Sequence, residues 1–301
     1  MKVSKKRVLI TGSQGFTGRY LTRELLDNGY EVIGCGVQQN PSSEEEYYYA
    51  DLRDHASLVA LLENARADYV VHLAGVAFVG HQNVDAFYEV NLIGTRNLLS
   101  AIVEVGKIPE CVLLASSAQI YGKMNSDFLS ESMPANPEND YAISKFSMEL
   151  VANLWRDKMP IVVVRPFNYT GVGQSNDFLL PKIVSHFQNK SNIIKLGNID
   201  IKRDFSDVRS VVYAYRRILE EKVTHQYLNV CSGRVYSIED ILNICQNITG
   251  HHLEVEVVPE LIRDGDPKII CGDATLLHKV IGQDTPYNIQ ETMAWMLGKA
   301  N

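Results

Sequence analysis

Along the first 166 positions, apolar residues gather into short runs separated by stretches of helical periodicity. The runs are "RVLIT" (7–11), "EVIGCGV" (31–37), "YVVHLAG" (69–75), "CVLLAS" (111–116) and "IVVVRP" (161–166). Most are nearly continuous rather than alternating, which predicts strands covered on both faces. Between them the spacing predicts helices near 17–28, 55–65, 84–106 and 141–157. Strand and helix alternate, so the pattern predicts a Rossmann-type α/β fold, a doubly wound parallel sheet with right-handed crossovers. After Pro166 the texture changes. The stretch "FNYTGVGQSND" is rich in Gly and Asn, and mixed short elements follow, with helices legible near 207–221, 238–249 and 289–298. Ser237 and Asp240 fit a capping box for the second of these. The expected organisation is a Rossmann unit over 1–166 with part of 205–232, and a smaller mixed α/β lobe over 167–204 and 233–301. Tyr47, Tyr48 and Tyr49, after Glu44, Glu45 and Glu46, form a biased patch expected to be loop surface.

With 301 residues, 46% of them hydrophobic, the chain can bury a substantial core. A net charge of -7 and the lack of any basic block beyond Lys5, Lys6 and Arg7 argue against a nucleic-acid partner. An anionic ligand must therefore be held by a few local groups. The five cysteines, Cys35, Cys111, Cys231, Cys245 and Cys271, show neither a CxxC pair nor regular spacing, which fits reduced thiols. No secretory h-region and no run of about 18 apolar residues is present, so the expectation is a soluble, unprocessed cytoplasmic protein without a membrane partner. His251, His252, Asp264, Asp266 and Asp273 lack a ligand spacing, and no metal is expected.

The turn "TGSQGFTG" (11–18) sets Gly12, Gly15 and Gly18 between the first strand and the first helix. Glycines permit a tight turn and close approach of backbone amides to a pyrophosphate at the helix amino terminus. "DLRD" (51–54) and "HLAG" (72–75) fit the same reading: Asp51 could meet an adenine amino group, and Gly75 would let the chain pass close to a dinucleotide. The second strand ends "GCGVQQ", with no acid for a ribose 2′-hydroxyl, which favours NADP(H) slightly over NAD(H). Arg19 is the nearby cation that could meet a 2′-phosphate.

Tyr141 and Lys145, four apart in "YAISK", share a helix face. A nearby ammonium favours the phenolate, so the pair forms a tunable acid. Ser117, at the end of the fourth apolar run, could converge on them at the carboxyl edge of the sheet.

In their order, TGxxGxxG, DLRD, HLAG, "VNLIGT" (90–95), Ser117, YxxxK and "RPFN" (165–168) resemble the extended short-chain dehydrogenase/reductase (NAD-dependent epimerase/dehydratase) family. The resemblance covers essentially the whole chain. It implies that Ser117 bonds the substrate carbonyl or hydroxyl, that Tyr141 is the acid/base, and that Lys145 binds the nicotinamide ribose and lowers the tyrosine's pKa. It also implies cofactor contacts from Gly12, Gly15, Phe16, Thr17, Gly18, Arg19, Asp51, Leu52, Leu73, Ala74, Gly75, Asn91 and Pro166. The segments 164–184, 196–215 and 227–238 are most similar to the GDP-mannose 4,6-dehydratase and GDP-4-keto-6-deoxymannose reductase group. By that similarity Asn168, Lys182, Arg203 and Arg263 would line a nucleotide-sugar site, the two arginines meeting the diphosphate. A homodimer through the long helices is a further implication.

A 4,6-dehydratase needs a carboxyl group beside Ser117. The matching positions here are Ala118 and Gln119, which cannot titrate, and the absence of a cysteine from the segment argues against the combined 3,5-epimerase/reductase branch. The resulting expectation is NAD(P)H-dependent reduction of a nucleotide-linked 4-keto-6-deoxyhexose, giving GDP-D-rhamnose or GDP-6-deoxy-D-talose from the GDP-linked sugar. The alternatives are a 4-epimerase with tightly bound NAD, a dehydratase, and a non-catalytic dinucleotide sensor.

Overall fold

The computed structural model describes residues 5–39, 45–77, 83–124, 126–262, 267–282 and 286–299. In chain order the first half runs β1 (Arg7–Thr11), α1 (Phe16–Asp27), β2 (Glu31–Gly36), β3 (Glu46–Tyr49), α2 (His55–Ala65) and β4 (Tyr69–His72). A π-helical run (Phe87–Gly94) passes directly into α3 (Thr95–Val105), followed by β5 (Cys111–Ala115), β6 (Phe128–Leu129), α4 (Asp140–Asn153) and β7 (Ile161–Pro166). The second half runs β8 (Asn168–Thr170), α5 (Leu179–Gln188), β9 (Ile193–Leu196), β10 (Lys202–Asp207), α6 (Val208–Glu220), β11 (Tyr227–Val230) and β12 (Val235–Ser237). It closes with α7 (Ile238–Thr249), β13 (Glu254–Val257), β14 (Ile269–Gly272), α8 (Thr275–Ile281) and α9 (Ile289–Met296).

Seven parallel strands form the main sheet in the order β11-β7-β5-β4-β1-β2-β3. Successive residues of each strand face opposite layers. Val8 and Ile10 pack with Leu21, Leu25, Val211 and Ile218 on one side, while Leu9 packs with Leu58, Leu98, Leu99 and Met148 on the other. That two-sided burial is why the strands read as continuous apolar runs. The order reverses between β1 and β4, and a crevice opens beyond the carboxyl ends of strands at such a point. Pairing of Thr11 with His72, and of His72 with Leu114, brings the glycine turn, the HLAG segment and the loop after β5 to that one edge.

Two strands of the sheet were not expected. Residues 46–49 are not loop surface: they form the edge strand β3, parallel to β2, where three tyrosines supply a pleated, half-buried surface. β11 closes the opposite edge against β7. The helix expected at 84–106 divides into the π-helical run and α3, and the helix expected at 141–157 ends at Asn153. Ser237 and Asp240 form the anticipated capping box, each side chain accepting from the other's backbone amide at 3.0 and 2.8 Å. A separate core lies among α5, α7, α9 and β9. All five cysteines are buried and unpaired. Among the described residues no helix is long and apolar enough to cross a membrane.

Candidate active site

The glycine turn is closed by contacts that only hydrogen side chains permit. Gly12 sits at φ +73° and donates its amide to the Cys35 carbonyl at 2.7 Å. A Cβ on Gly12 would lie 2.8 Å from the Ala74 nitrogen, and one on Gly18 would run into the Gly12 carbonyl. Helix α1 then begins with Gly15 at its N-cap, no capping side chain and no acid in its first turn. Among the described residues no side chain caps its first amides, which fit a phosphate pair. Phe16 stacks on Tyr169 at 6.2 Å, and Thr17 Oγ1 pairs with the Tyr169 hydroxyl at 2.8 Å, which ties the turn to β8. Asp51 is held by Arg53, whose guanidinium keeps the carboxyl below the usual carboxylate range. Leu52 is buried against Gly94.

Behind this turn runs a buried chain of hydrogen bonds. Thr95 Oγ1 gives its proton to the Asn91 carbonyl (2.7 Å), so His72 Nε2 donates to Thr95 (2.9 Å) and Nδ1 accepts from Thr11 Oγ1 (2.7 Å). Thr11 Oγ1 in turn accepts from the Ala74 amide, and the Leu73 amide bonds the Thr11 carbonyl. Burial drives the His72 pKa down to about 3, so the ring is neutral. Asn91 Oδ1 accepts from the Val76 amide at 2.8 Å, while its Nδ2 donates to the Val76 carbonyl and to Ser144 Oγ. Ser144 passes its own proton to the Tyr141 carbonyl. Gly75 lies inside this loop, where a Cβ would stand 2.8 Å from Asn91 Oδ1 and 3.3 Å from Lys145 Nζ.

Ser117 and Tyr141 meet beyond the end of β5, and Lys145 reaches the last carbonyl of that strand. Ser117 caps the short helical turn 118–121 by accepting from the Gln119 amide, and it also hydrogen-bonds Tyr141. Asn139 caps α4 and donates to Gln119 Oε1, so the amide at 119 braces the helix that carries the tyrosine. Burial pushes the Tyr141 phenol up to about 12, opposed by the Ser117 hydrogen bond. Lys145 lies one turn further along α4. Its Nζ donates to the Ala115 carbonyl at 2.9 Å, and burial brings its own pKa down to about 8, opposed by Glu149.

Several neighbours were missed. Glu149 is buried and takes a bidentate grip from Arg165 at 3.0 and 2.7 Å. Arg165 also donates to the Tyr121 hydroxyl, which donates to Asn229. The YxxxKxxxE spacing was the available signal for Glu149. Asp204, fully buried, accepts from the amides of Ser232, Gly233 and Gly272, and joins β10 to the ends of β11 and β14.

The expected substrate residues are less concentrated. Asn168 donates to the Asp204 carbonyl at 3.5 Å, Lys182 to the Lys195 carbonyl, and Arg203 to the carbonyls of Lys202 and Pro267. Pro166 ends β7 opposite Val230. Arg263, Asp264 and Asp266 lie outside the described residues. His251 bonds the Ser191 carbonyl, His252 bonds Gln246 and Asp273 accepts from the Thr275 amide.

A parallel sheet reversing at β1, with a glycine turn there and a serine-tyrosine-lysine cluster two strands away, defines the extended short-chain dehydrogenase/reductase class. Within it, the chain belongs to the GDP-mannose 4,6 dehydratase family, whose profile matches residues 9–296. It is 37% identical over 281 residues to the GDP-6-deoxy-D-talose 4-dehydrogenase of Aggregatibacter actinomycetemcomitans, covering 92% of each chain. It is 28% identical over 303 residues to the GDP-6-deoxy-D-mannose reductase of Pseudomonas aeruginosa, covering 97% of this chain and 96% of that one. The structure of RMD from Pseudomonas aeruginosa complexed with NADPH superimposes with a TM-score of 0.85 at 27% identity, over 98% of this chain and 99% of that one.

Proposed function

We propose that this protein reduces the C4 ketone of a GDP-linked 4-keto-6-deoxyhexose with a reduced nicotinamide dinucleotide. The observation that carries the reading is the loop after β5. There Ser117 bonds Tyr141, and the side chain at 119 is an amide engaged with Asn139 rather than a carboxyl. Elimination of water would need that carboxyl; carbonyl reduction needs only a hydrogen-bond donor and a proton source.

When bound, the dinucleotide supplies the hydride. The open amides of α1 with Gly12, Gly15 and Gly18 would hold its pyrophosphate, Asp51 and Leu52 would flank its adenine, and Gly75 and Lys145 would lie along its nicotinamide ribose. Ser117 would bond the sugar O4. Tyr141, protonated at neutral pH, would give its proton to O4 as negative charge develops there. Lys145 would stabilise the phenolate that remains. The segments 167–204 and 233–301 would form the lobe that grips the GDP-sugar, with Asn168, Lys182, Arg203 and Arg263 toward the nucleotide. Ile143, Leu150 and Leu154 expose apolar surface at spacings that share one face of α4, which supports a homodimer through this helix.

The test supplies purified protein with GDP-4-keto-6-deoxymannose, made in place by a separate dehydratase, and follows NADH and NADPH absorbance. Stoichiometric loss is expected, with NMR assigning C4; similarity to the talose enzyme favours the talo product. No loss with either cofactor would overturn the reading, and conversion of a nucleotide hexose without added cofactor would favour the epimerase. Light scattering should give about twice the 33.8 kDa chain mass.

A further inference from the structure

The end of β2 is a groove opened by two glycines and filled from β3. Gly34 pairs with Tyr47 and Gly36 with Tyr49. A Cβ on Gly36 would meet the Tyr47 hydroxyl at 3.1 Å, so no larger residue fits there without displacing the phenol. A Cβ on Gly34 would lie 2.8 Å from Glu45 Oε1 and collide with Ser13 Oγ. Gln14, in the glycine turn, donates to Glu45 Oε1 at 2.7 Å. The Ser13 hydroxyl beside them is fully buried and has no hydrogen-bond partner among the described residues. Although β2 ends without an acid, a carboxylate therefore stands against the glycine turn beside Gly34, two residues before the end of the strand. Arg19, the cation the sequence offers for a 2′-phosphate, points elsewhere: its Nη2 lies 3.7 Å from the position of a Cβ on Gly173.

In Rossmann units an acid near this corner accepts the ribose hydroxyls of NAD, while an arginine accommodates the phosphate of NADP. We propose that Glu45, braced by Gln14, reads the adenosine ribose and makes this site select NAD(H) over NADP(H). The inference rests on the dinucleotide reading above. A 2′-phosphate carries between one and two negative charges at neutral pH, and the carboxylate would repel it where it welcomes a hydroxyl.

Isothermal titration of the full chain with NADH and with NADPH tests this without turnover. Wild type should bind NADH about tenfold or more tightly than NADPH, and Glu45→Gln should tighten NADPH binding by about tenfold. Glu45→Ala removes the same charge and should shift the ratio in the same direction, with circular dichroism confirming that both variants fold. Equal binding, a preference for NADPH, or a ratio unchanged in both variants would overturn the role of Glu45. Failure of wild type to bind either dinucleotide would overturn the proposed function along with it.

Discussion

Two buried cations stand beside helix α4, and they are treated in opposite ways. Arg165 meets Glu149 through two hydrogen bonds and the Tyr121 hydroxyl through a third, so burial is offset and its guanidinium is held firmly charged. Lys145, one turn from Glu149, has a backbone carbonyl as its hydrogen-bond partner, and its pKa falls to about 8. A buried charge with a matched partner is part of the scaffold; one left short of partners is adjustable near neutral pH. The difference separates what holds α4 in place from what α4 presents to a substrate.

The largest expected effect is on Lys145. Lys145→Met should lower the proposed reductase activity by about 10²–10⁴-fold while leaving the melting temperature unchanged or higher, because burial disfavours the ammonium at pH 7. A melting point several degrees lower would place Lys145 with the scaffold instead. Glu149→Gln should do the reverse, leaving Arg165 uncompensated and lowering unfolding free energy by about 3–5 kcal/mol in urea titrations. An unchanged midpoint would sink the scaffold assignment.

His72 provides a smaller, pH-dependent contrast. It stays neutral in the fold with a pKa near 3, against 6.5 for the free side chain. Below pH 6.5 the unfolded chain takes up a proton that the native ring refuses. This residue's contribution to stability is therefore intact above pH 6.5 and is lost as pH falls toward 3, at about 1.4 kcal/mol per pH unit. His72→Gln should flatten that part of the stability profile; a slope equal to wild type between pH 6 and 4.5 would argue against it. Least of all, Ser144→Ala removes the link between Asn91 and the Tyr141 carbonyl and should cost about 1 kcal/mol by the same titration. No measurable change would show that the link carries no stability.

The strands of the central sheet and the helices between them were legible because two-sided burial leaves continuous apolar runs. β3 was not, because "EYYY" follows acids and has no aliphatic core residue; its order comes from pairing with β2. Of the site, the glycines, Ser117, Tyr141 and Lys145 announced themselves through spacing within single elements. Glu149–Arg165, Thr11–His72–Thr95 and Asp204 depend on elements that meet only in three dimensions, 16 to 68 positions apart. Glu45 was invisible for a related reason: the search for an acid followed β2, whereas the carboxylate arrives from the segment before β3.

The π-helical run from Phe87 to Gly94 sets the rotational phase of everything after it. A π turn holds roughly one residue more than an α turn, and each residue advances an α-helix by about 100°. Contracting the run to α geometry without removing a residue would turn Asn91 and Thr95 against each other by an angle of that order. The Asn91 grip on Val76 and the Thr95 bond to His72 could not both survive. In this helix, one residue of length is as consequential as the identity of any side chain it carries.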